Sequence, residues 1–343
     1  MRKHPWNAFP PLEILGAPSD MDTLITGANG FLGSALSRRL VGDGHRVRAL
    51  VRPGSDASAL DGTGAERVSG DVTDPGSMAR AVEGVEVVFH LAGLRRAPER
   101  SAFLRVNAEG TRTVCDMMLR AGARRMVLAG SLAAVGPSQP DRPHVETDPF
   151  APEEWYGESK AEAERIALGT AGLEVTVARP PRILGPGDRE NLVFFRLVKR
   201  GVRLEIGGGP RPLSVVDVDD VVELLVQLAT RREAVGEAFF APGPDQTTLE
   251  EIQALGAEVL GVRTRVLRLS PRRLQALAAM ADAFSQLTGK HLPLNRKLAR
   301  QLLAPAWTCS GEKARKLLGW TPGIDARTSI ARSAAWYQAR GWL

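Results

Sequence analysis

The sequence predicts an α/β fold, a doubly wound parallel sheet with helices on both faces and a smaller, mostly C-terminal lobe. Three observations predict it. Short apolar runs at residues 23–26, 46–51, 85–90, 125–129 and 175–178 alternate with helical stretches, and such alternation builds parallel βαβ units. The first strand runs directly into Gly27-Ala28-Asn29-Gly30-Phe31-Leu32-Gly33 and then a helical run, Ser34 to Leu40. With 343 residues, 43% of them hydrophobic, the chain can bury one large core with a lobe added.

Taken in chain order, residues 1–20 contain Pro5, Pro10, Pro11 and Pro18, which interrupt any apolar core a signal peptide would need. They read as an extension outside the sheet, either a packed arm or a tail. Residues 21–180 form the predicted nucleotide-binding domain, and residues 181–343 a lobe interleaved with returning sheet elements. A strand, a Gly-rich turn and a helix are the parts of a dinucleotide site. Gly27 allows the tight turn, Gly30 lets the backbone approach a pyrophosphate, and Gly33 lets the helix pack on the sheet. The phosphates would sit on free N–H groups at the helix start, among Asn29, Phe31 and Leu32.

The second strand ends Leu50-Val51-Arg52. An Asp or Glu about here bonds a ribose 2′-hydroxyl, whereas an Arg accommodates a 2′-phosphate. Arg52 therefore favours NADP(H), with NAD(H) the alternative.

Further along, Tyr156-Gly-Glu-Ser-Lys160 follows Ser131 by 25 residues, in a chain with only two tyrosines. Positions i and i+4 share a helix face, so phenol and ammonium can enter one pocket. A neighbouring cation favours the phenolate, which suits the pair to proton transfer at a carbonyl oxygen.

The Gly turn, the Ser, Tyr and Lys set and the length together resemble the extended short-chain dehydrogenase/reductase family, also described as NAD-dependent epimerase/dehydratase. Matches continue in order through Gly70-Asp71-Val72-Thr73-Asp74, Phe89-His90-Leu91-Ala92-Gly93, Asn107-Ala108-Glu109-Gly110-Thr111 and Arg179-Pro180-Pro181 to Val216-Asp217-Val218-Asp219-Asp220. The resemblance implies a Rossmann-type fold and gives each motif a role. Tyr156 becomes the acid/base, Lys160 its pKa-lowering partner and a ligand of the nicotinamide ribose, and Ser131 the holder of the substrate oxygen. Asp71, beside Val72, bonds the adenine amino group, while Leu91, Ala92 and Gly93 let the backbone approach the cofactor. Pro180 and Pro181 shape the loop under the nicotinamide amide. Asn107 is either part of a proton relay or a helix-packing residue. The family often carries Ser or Thr before Ser131, where this chain has Gly130.

For the substrate, sugar-nucleotide members commonly place an Arg where Leu213 stands, six residues before Asp219, to clamp a diphosphate. Without it the diphosphate loses a charge-assisted bond, leaving Arg211 and Arg182 as candidate cations. Leu274, Leu277, Met280, Ala281, Phe284 and Leu287 lie at helical spacing and read as core rather than substrate wall. The stretch from Pro271 to Trp320 resembles the 3β-hydroxysteroid dehydrogenase and dihydroflavonol reductase branch. The expected function is thus a ketone/secondary-alcohol oxidoreductase on a mainly apolar small molecule, with a nucleotide-sugar epimerase or dehydratase as the alternative.

Composition narrows the remaining classes. Two cysteines, Cys115 and Cys309, are too few for a disulfide framework or a zinc set, so a reducing cytoplasm and no metal are expected. No apolar run reaches the ~18 to 20 residues of a membrane span. The net charge is +6, but the arginines are scattered and nucleic-acid modules are absent, so a nucleic-acid partner is not expected. The resemblance also implies a homodimer, since family members often pair helices.

Overall fold

A computed structural model describes residues 21–288, 292 and 294–343; the N-terminal extension lies outside them. The first six strands are β1 (Asp22–Thr26), β2 (Arg46–Val51), β3 (Glu66–Ser69), β4 (Val87–His90), β5 (Arg125–Ala129) and β6 (Glu174–Arg179). They are followed by β7 (Arg182–Leu184), β8 (Val202–Ile206), β9 (Leu213–Asp217), β10 (Ala238–Phe240), β11 (Gln246–Thr247) and β12 (Arg265–Leu269). Seven of them make one parallel sheet in the order β10-β6-β5-β4-β1-β2-β3. The order reverses between β1 and β4, and ligands of such sheets bind in the crevice at that point.

Helices α1 (Phe31–Gly42), α2 (Pro75–Ala81), α3 (Arg100–Phe103), α4 (Gly110–Ala121) and α5 (Trp155–Leu168) connect the early strands. A π-helical turn, Leu104–Glu109, joins α3 to α4. Later come α6 (Leu192–Lys199), α7 (Val218–Thr230), α8 (Leu249–Val259), α9 (Pro271–Thr288), α10 (Arg296–Leu303), α11 (Glu312–Leu318) and α12 (Ala326–Ala339).

Alternation along the strands builds two cores. Ile25, Phe89 and Val127 face a layer containing Leu36, Leu40, Leu224, Leu225 and Leu228. Their neighbours Leu24, Val88 and Met126 face Met78, Val114 and Met118. Strands buried on both faces are the signature of a parallel sheet under helices. Local signals set the helix ends: Asp74 accepts from the Gly76 and Ser77 N–H groups ahead of α2, and Thr248 with Glu251 forms a capping box on α8.

Two expectations need correction. The strand expected at 85–90 begins only at Val87, because the Val85 N–H is used by the Val82 carbonyl in the turn that closes α2. The stripe from Leu274 to Leu287 is not core throughout. Leu274 and Ala281 are buried, but Leu277, Met280, Phe284 and Leu287 are exposed, Leu287 to 87%. Periodicity locates the apolar faces of a helix; it does not say which face the rest of the chain covers.

Beyond β6 the lobe is built from two small sheets, β11-β9-β7 and β12-β8. Arg211 donates to the carbonyls of Ile206, Gly207 and Gly209 in the loop between β8 and β9, so this candidate cation is engaged by its own loop. Among the described residues no helix is long and apolar enough to cross a membrane, and no cluster of His, Cys, Asp and Glu is arranged to hold a metal.

Candidate active site in the crevice of the sheet

The Gly turn closes on itself and on the next strand. Gly27 has a φ of +68°, and a Cβ on it would lie 2.8 Å from the Ala92 nitrogen. A Cβ on Gly33 would collide with the Gly27 carbonyl oxygen and lie 2.7 Å from the Ala28 Cα. Gly30 donates its N–H to the Gly27 carbonyl at 3.0 Å and stands at the N-cap of α1. No side chain caps this helix and no acidic residue occupies its first turn, in contrast to α2, α7, α8, α10 and α12, whose N-caps are side-chain acceptors. Uncapped N–H groups and an unopposed dipole suit an anion. The dinucleotide's pyrophosphate thus fits the backbone here.

Around this turn, Asn29 donates to the Asp56 carbonyl at 2.8 Å, tying the turn to the segment after β2. Arg52 is exposed just past that strand, and its carbonyl accepts from the Ser55 N–H and hydroxyl. Asp71 uses one oxygen, Oδ1, for the Thr73 N–H and hydroxyl. Val72 is buried, and a Cβ on Gly110 would meet its Cγ2 at 3.0 Å.

The loop after β4 is fixed by a buried chain of hydrogen bonds. Ala92 donates to Thr26 Oγ1 at 3.1 Å, and Thr26 Oγ1 lies 2.7 Å from His90 Nδ1. On the other side, His90 Nε2 lies 3.0 Å from Thr111 Oγ1, which donates to the Asn107 carbonyl. Because the Thr111 hydroxyl spends its proton on Asn107, it accepts from Nε2–H, and in the neutral ring Nδ1 then accepts from the Thr26 hydroxyl. Burial, helped by Lys160, pushes its pKa down to about 3. The backbone of Leu91, Ala92 and Gly93 is therefore anchored to β1 and α4 at once.

Asn107 lies in the π-helical turn and is 2% exposed. Its Nδ2 donates to Ser159 Oγ at 2.8 Å and to the Leu94 carbonyl at 3.0 Å, while its Oδ1 accepts from Leu94 N–H at 2.7 Å. A Cβ on Gly93 would lie 3.2 Å from Asn107 Oδ1 and 3.9 Å from Lys160 Nζ. Gly93, Asn107, Ser159 and Lys160 are thus one packed group. Lys160 itself is 5% exposed.

Helix α5 carries Tyr156 and Lys160 on one face, and its first turn is pressed against the turn that starts at Ser131. A Cβ on Gly157 would collide with the Ala133 carbonyl oxygen. Ser131 Oγ accepts from the Ala133 N–H at 3.2 Å, which leaves its own proton free to donate. The Leu132 N–H bonds the Pro180 carbonyl at 3.1 Å. The Ser131 turn is therefore seated between α5 and the loop that follows β6.

Sequence reasoning missed several neighbours. The Arg95 guanidinium lies 5.7 Å from the centroid of the Tyr156 ring and has no hydrogen-bond or ion-pair partner among the described residues. Glu164, fully buried one turn beyond Lys160, accepts from Arg179 Nε at 2.8 Å, and burial raises its pKa despite that partner. Its Oε1 has no hydrogen-bond partner among the described residues and takes up the space beside Gly130, where a Cβ would collide with it. Gly130 is thus required by Glu164. Arg182 donates to Asn191 Oδ1 at 2.6 Å and stacks 5.8 Å from the Phe194 ring, while Leu213 packs in the apolar cluster of Leu184, Phe195 and Tyr337. Of these, Gly130 and Leu213 stood out in the sequence as departures from the family pattern and Arg182 as a candidate cation, whereas Arg95 and Glu164 carried no signal.

The profile of the NAD dependent epimerase/dehydratase family matches residues 23–240. Over 331 residues the chain is 33% identical to sterol demethylase protein B of Methylococcus capsulatus, covering 94% of this chain and 100% of that one. It is also 33% identical over 320 residues to ceramide reductase of Caulobacter vibrioides, covering 93% and 95%. Among solved structures, MoeE5 in complex with UDP-glucuronic acid and NAD is similar with a TM-score of 0.74 at 25% identity, over 93% of this chain and 99% of that one.

Proposed function

The chain belongs to the NAD dependent epimerase/dehydratase family, and on that premise we propose that it is an NADP(H)-dependent oxidoreductase interconverting a ketone and a secondary alcohol on a mainly apolar, lipid-like substrate. The observation that carries the reading is the seating of α5, which bears Tyr156 and Lys160 on one face: Gly157 is pressed on the Ser131 turn after β5, and Lys160 lies beside Gly93 after β4. Sterol and ceramide in the names of two relatives support the apolar substrate. So does Leu213, which offers no charge to a diphosphate.

When bound, the nicotinamide supplies or accepts the hydride. In the direction of reduction, Tyr156 gives its phenolic proton to the ketone oxygen, and the Ser131 hydroxyl donates a hydrogen bond to the same oxygen. Lys160, one helical turn on, shares the helix face of this phenol, and the Arg95 guanidinium lies 5.7 Å from its ring centroid. Asn107 and Ser159 hold Leu94 and the Gly93 loop, so the ribose and the Tyr meet in a fixed geometry. Arg52 would hold the 2′-phosphate, Asp71 the adenine, and Pro180 the amide end. We place the protein in the cytoplasm.

Thermal stability with NADPH held saturating tests the substrate class. A ligand that binds only the native state stabilises by RT ln(1 + [L]/Kd), about 2.7 kcal/mol at ~100 times its Kd. Steroid, flavonoid or long-chain 3-oxo compounds should include at least one that raises the melting temperature, whereas UDP, UDP-glucose and dTDP-glucose at millimolar concentration should not. A clear rise with any of the nucleotides would instead favour the epimerase or dehydratase reading, with Arg182 as the diphosphate ligand.

A further inference from the structure

We propose that the outer face of α9, together with the basic residues flanking it on α10, docks the protein on the surface of an anionic lipid bilayer. Helix α9 is apolar on two sides. Leu274 and Ala278 pack inward against Ile206 and Ala299, and Ala281 is also buried. The outward side presents Leu277 at 44% exposure, Met280 at 68%, Phe284 at 45% and Leu287 at 87%. These four are spaced three, four and three residues apart, with exposed Ala276 just before Leu277 and exposed Ala283 just before Phe284. Of the residues from Ala276 to Leu287 whose exposure is described, the exposed ones are all Ala, Leu, Met or Phe, and Asp282 and Ser285 are half-buried. A lone exposed Leu is ordinary, but a continuous stripe of large apolar side chains marks an interaction surface.

Charge identifies the occupant. Residues 270–303 contain six Lys or Arg against one Asp, while the whole chain carries a net charge of +6. Nearly all of the excess positive charge therefore belongs to the segment that bears the stripe. Arg272, Arg273, Arg296, Lys297 and Arg300 are exposed around it. A second copy docking by the same face would bring these charges together, because a two-fold interface pairs a patch with itself. An apolar stripe rimmed by Arg and Lys instead matches the acyl boundary and the phosphates of an anionic leaflet. Helix α9 lies in such an interface without crossing it.

The inward side of α9 borders a cavity. A cavity of about 530 Å³ opens between α9 and α10, lined by Gln275, Ala278, Arg300 and Leu303, and its wall includes Glu153, three residues before Tyr156. The docking itself does not depend on the reaction proposed above.

The test is sedimentation of the full chain with phosphatidylcholine vesicles, alone or containing about one-third phosphatidylglycerol. The protein should pellet with the anionic vesicles only, and be released as salt shortens the screening length. Met280→Glu combined with Leu287→Glu should weaken this partition at least ~10-fold, because both side chains would have to leave the acyl boundary charged. Arg272→Gln combined with Arg273→Gln should weaken it on anionic vesicles without lowering the melting temperature. All variants should keep wild-type NADPH binding, so a loss of docking is not a loss of fold. Failure of the wild type to pellet with anionic vesicles would overturn the proposal. So would a concentration-dependent dimer in gel filtration that the Met280→Glu, Leu287→Glu variant abolishes.

Discussion

At the scale of single residues, two side chains make separable claims. Arg52 is exposed just past the end of β2, and a charge-assisted bond to phosphate is worth roughly 1.5 to 3 kcal/mol. Arg52→Ala should accordingly weaken NADPH by ~10- to 100-fold and leave NADH nearly unchanged, as read by fluorescence titration of both cofactors. Equal wild-type affinity for the two would contradict the assignment. His90 makes a claim about acid stability. Its folded pKa of about 3 lies below the ordinary value of 6.5, so between those limits the unfolded chain binds the extra proton. The stability that neutral His90 contributes is complete above pH ~6.5 and is lost as pH falls towards 3, at up to about 1.4 kcal/mol per pH unit. Denaturant unfolding of wild type and His90→Gln between pH 7 and 4 should show the wild type declining more steeply; parallel curves would mean that His90 is not held neutral.

At the scale of elements, α5 is the part whose seating matters most. A Gly in a helix normally costs roughly 0.5 to 1 kcal/mol against Ala, so Gly157→Ala would ordinarily stabilise. Here the added Cβ meets the Ala133 carbonyl oxygen, and overpacking of this kind costs about 1 to 3 kcal/mol. The variant should melt lower and turn over more slowly while NADPH still binds at the Gly27 turn; a higher melting temperature with full activity would show that α5 is not pressed on the Ser131 turn. This constraint was invisible in the sequence, where Gly157 is one letter between Tyr156 and Glu158. The strands, the Gly turn and the Tyr, Lys and Ser spacing were legible because their chemistry is local. Arg95, Glu164 with Arg179, and the exposed side of α9 were not, because each depends on what the chain brings alongside. Glu164 explains Gly130 in the same way: the departure was readable, its cause was tertiary.

On the scale of the whole molecule, the sheet brings the Gly turn, the Gly93 loop, the Ser131 turn and α5 to one crevice, while the lobe supplies Leu213 and the cavity beside α9. The proposed task, proton transfer to a carbonyl oxygen next to a bound dinucleotide in an apolar setting, calls on all of these parts. Tyr156 is where they meet. The most direct measurement is the NADPH-dependent reduction of a long-chain 3-oxo compound, or whichever ketone first raises the melting temperature, by wild type and by Tyr156→Phe. Cofactor affinity is titrated alongside. General acid catalysis supplies ~10² to 10⁴-fold, so the Phe variant should bind NADPH as the wild type does and lose two or more orders of magnitude in kcat. Wild-type turnover by the Phe variant on that ketone would contradict the account.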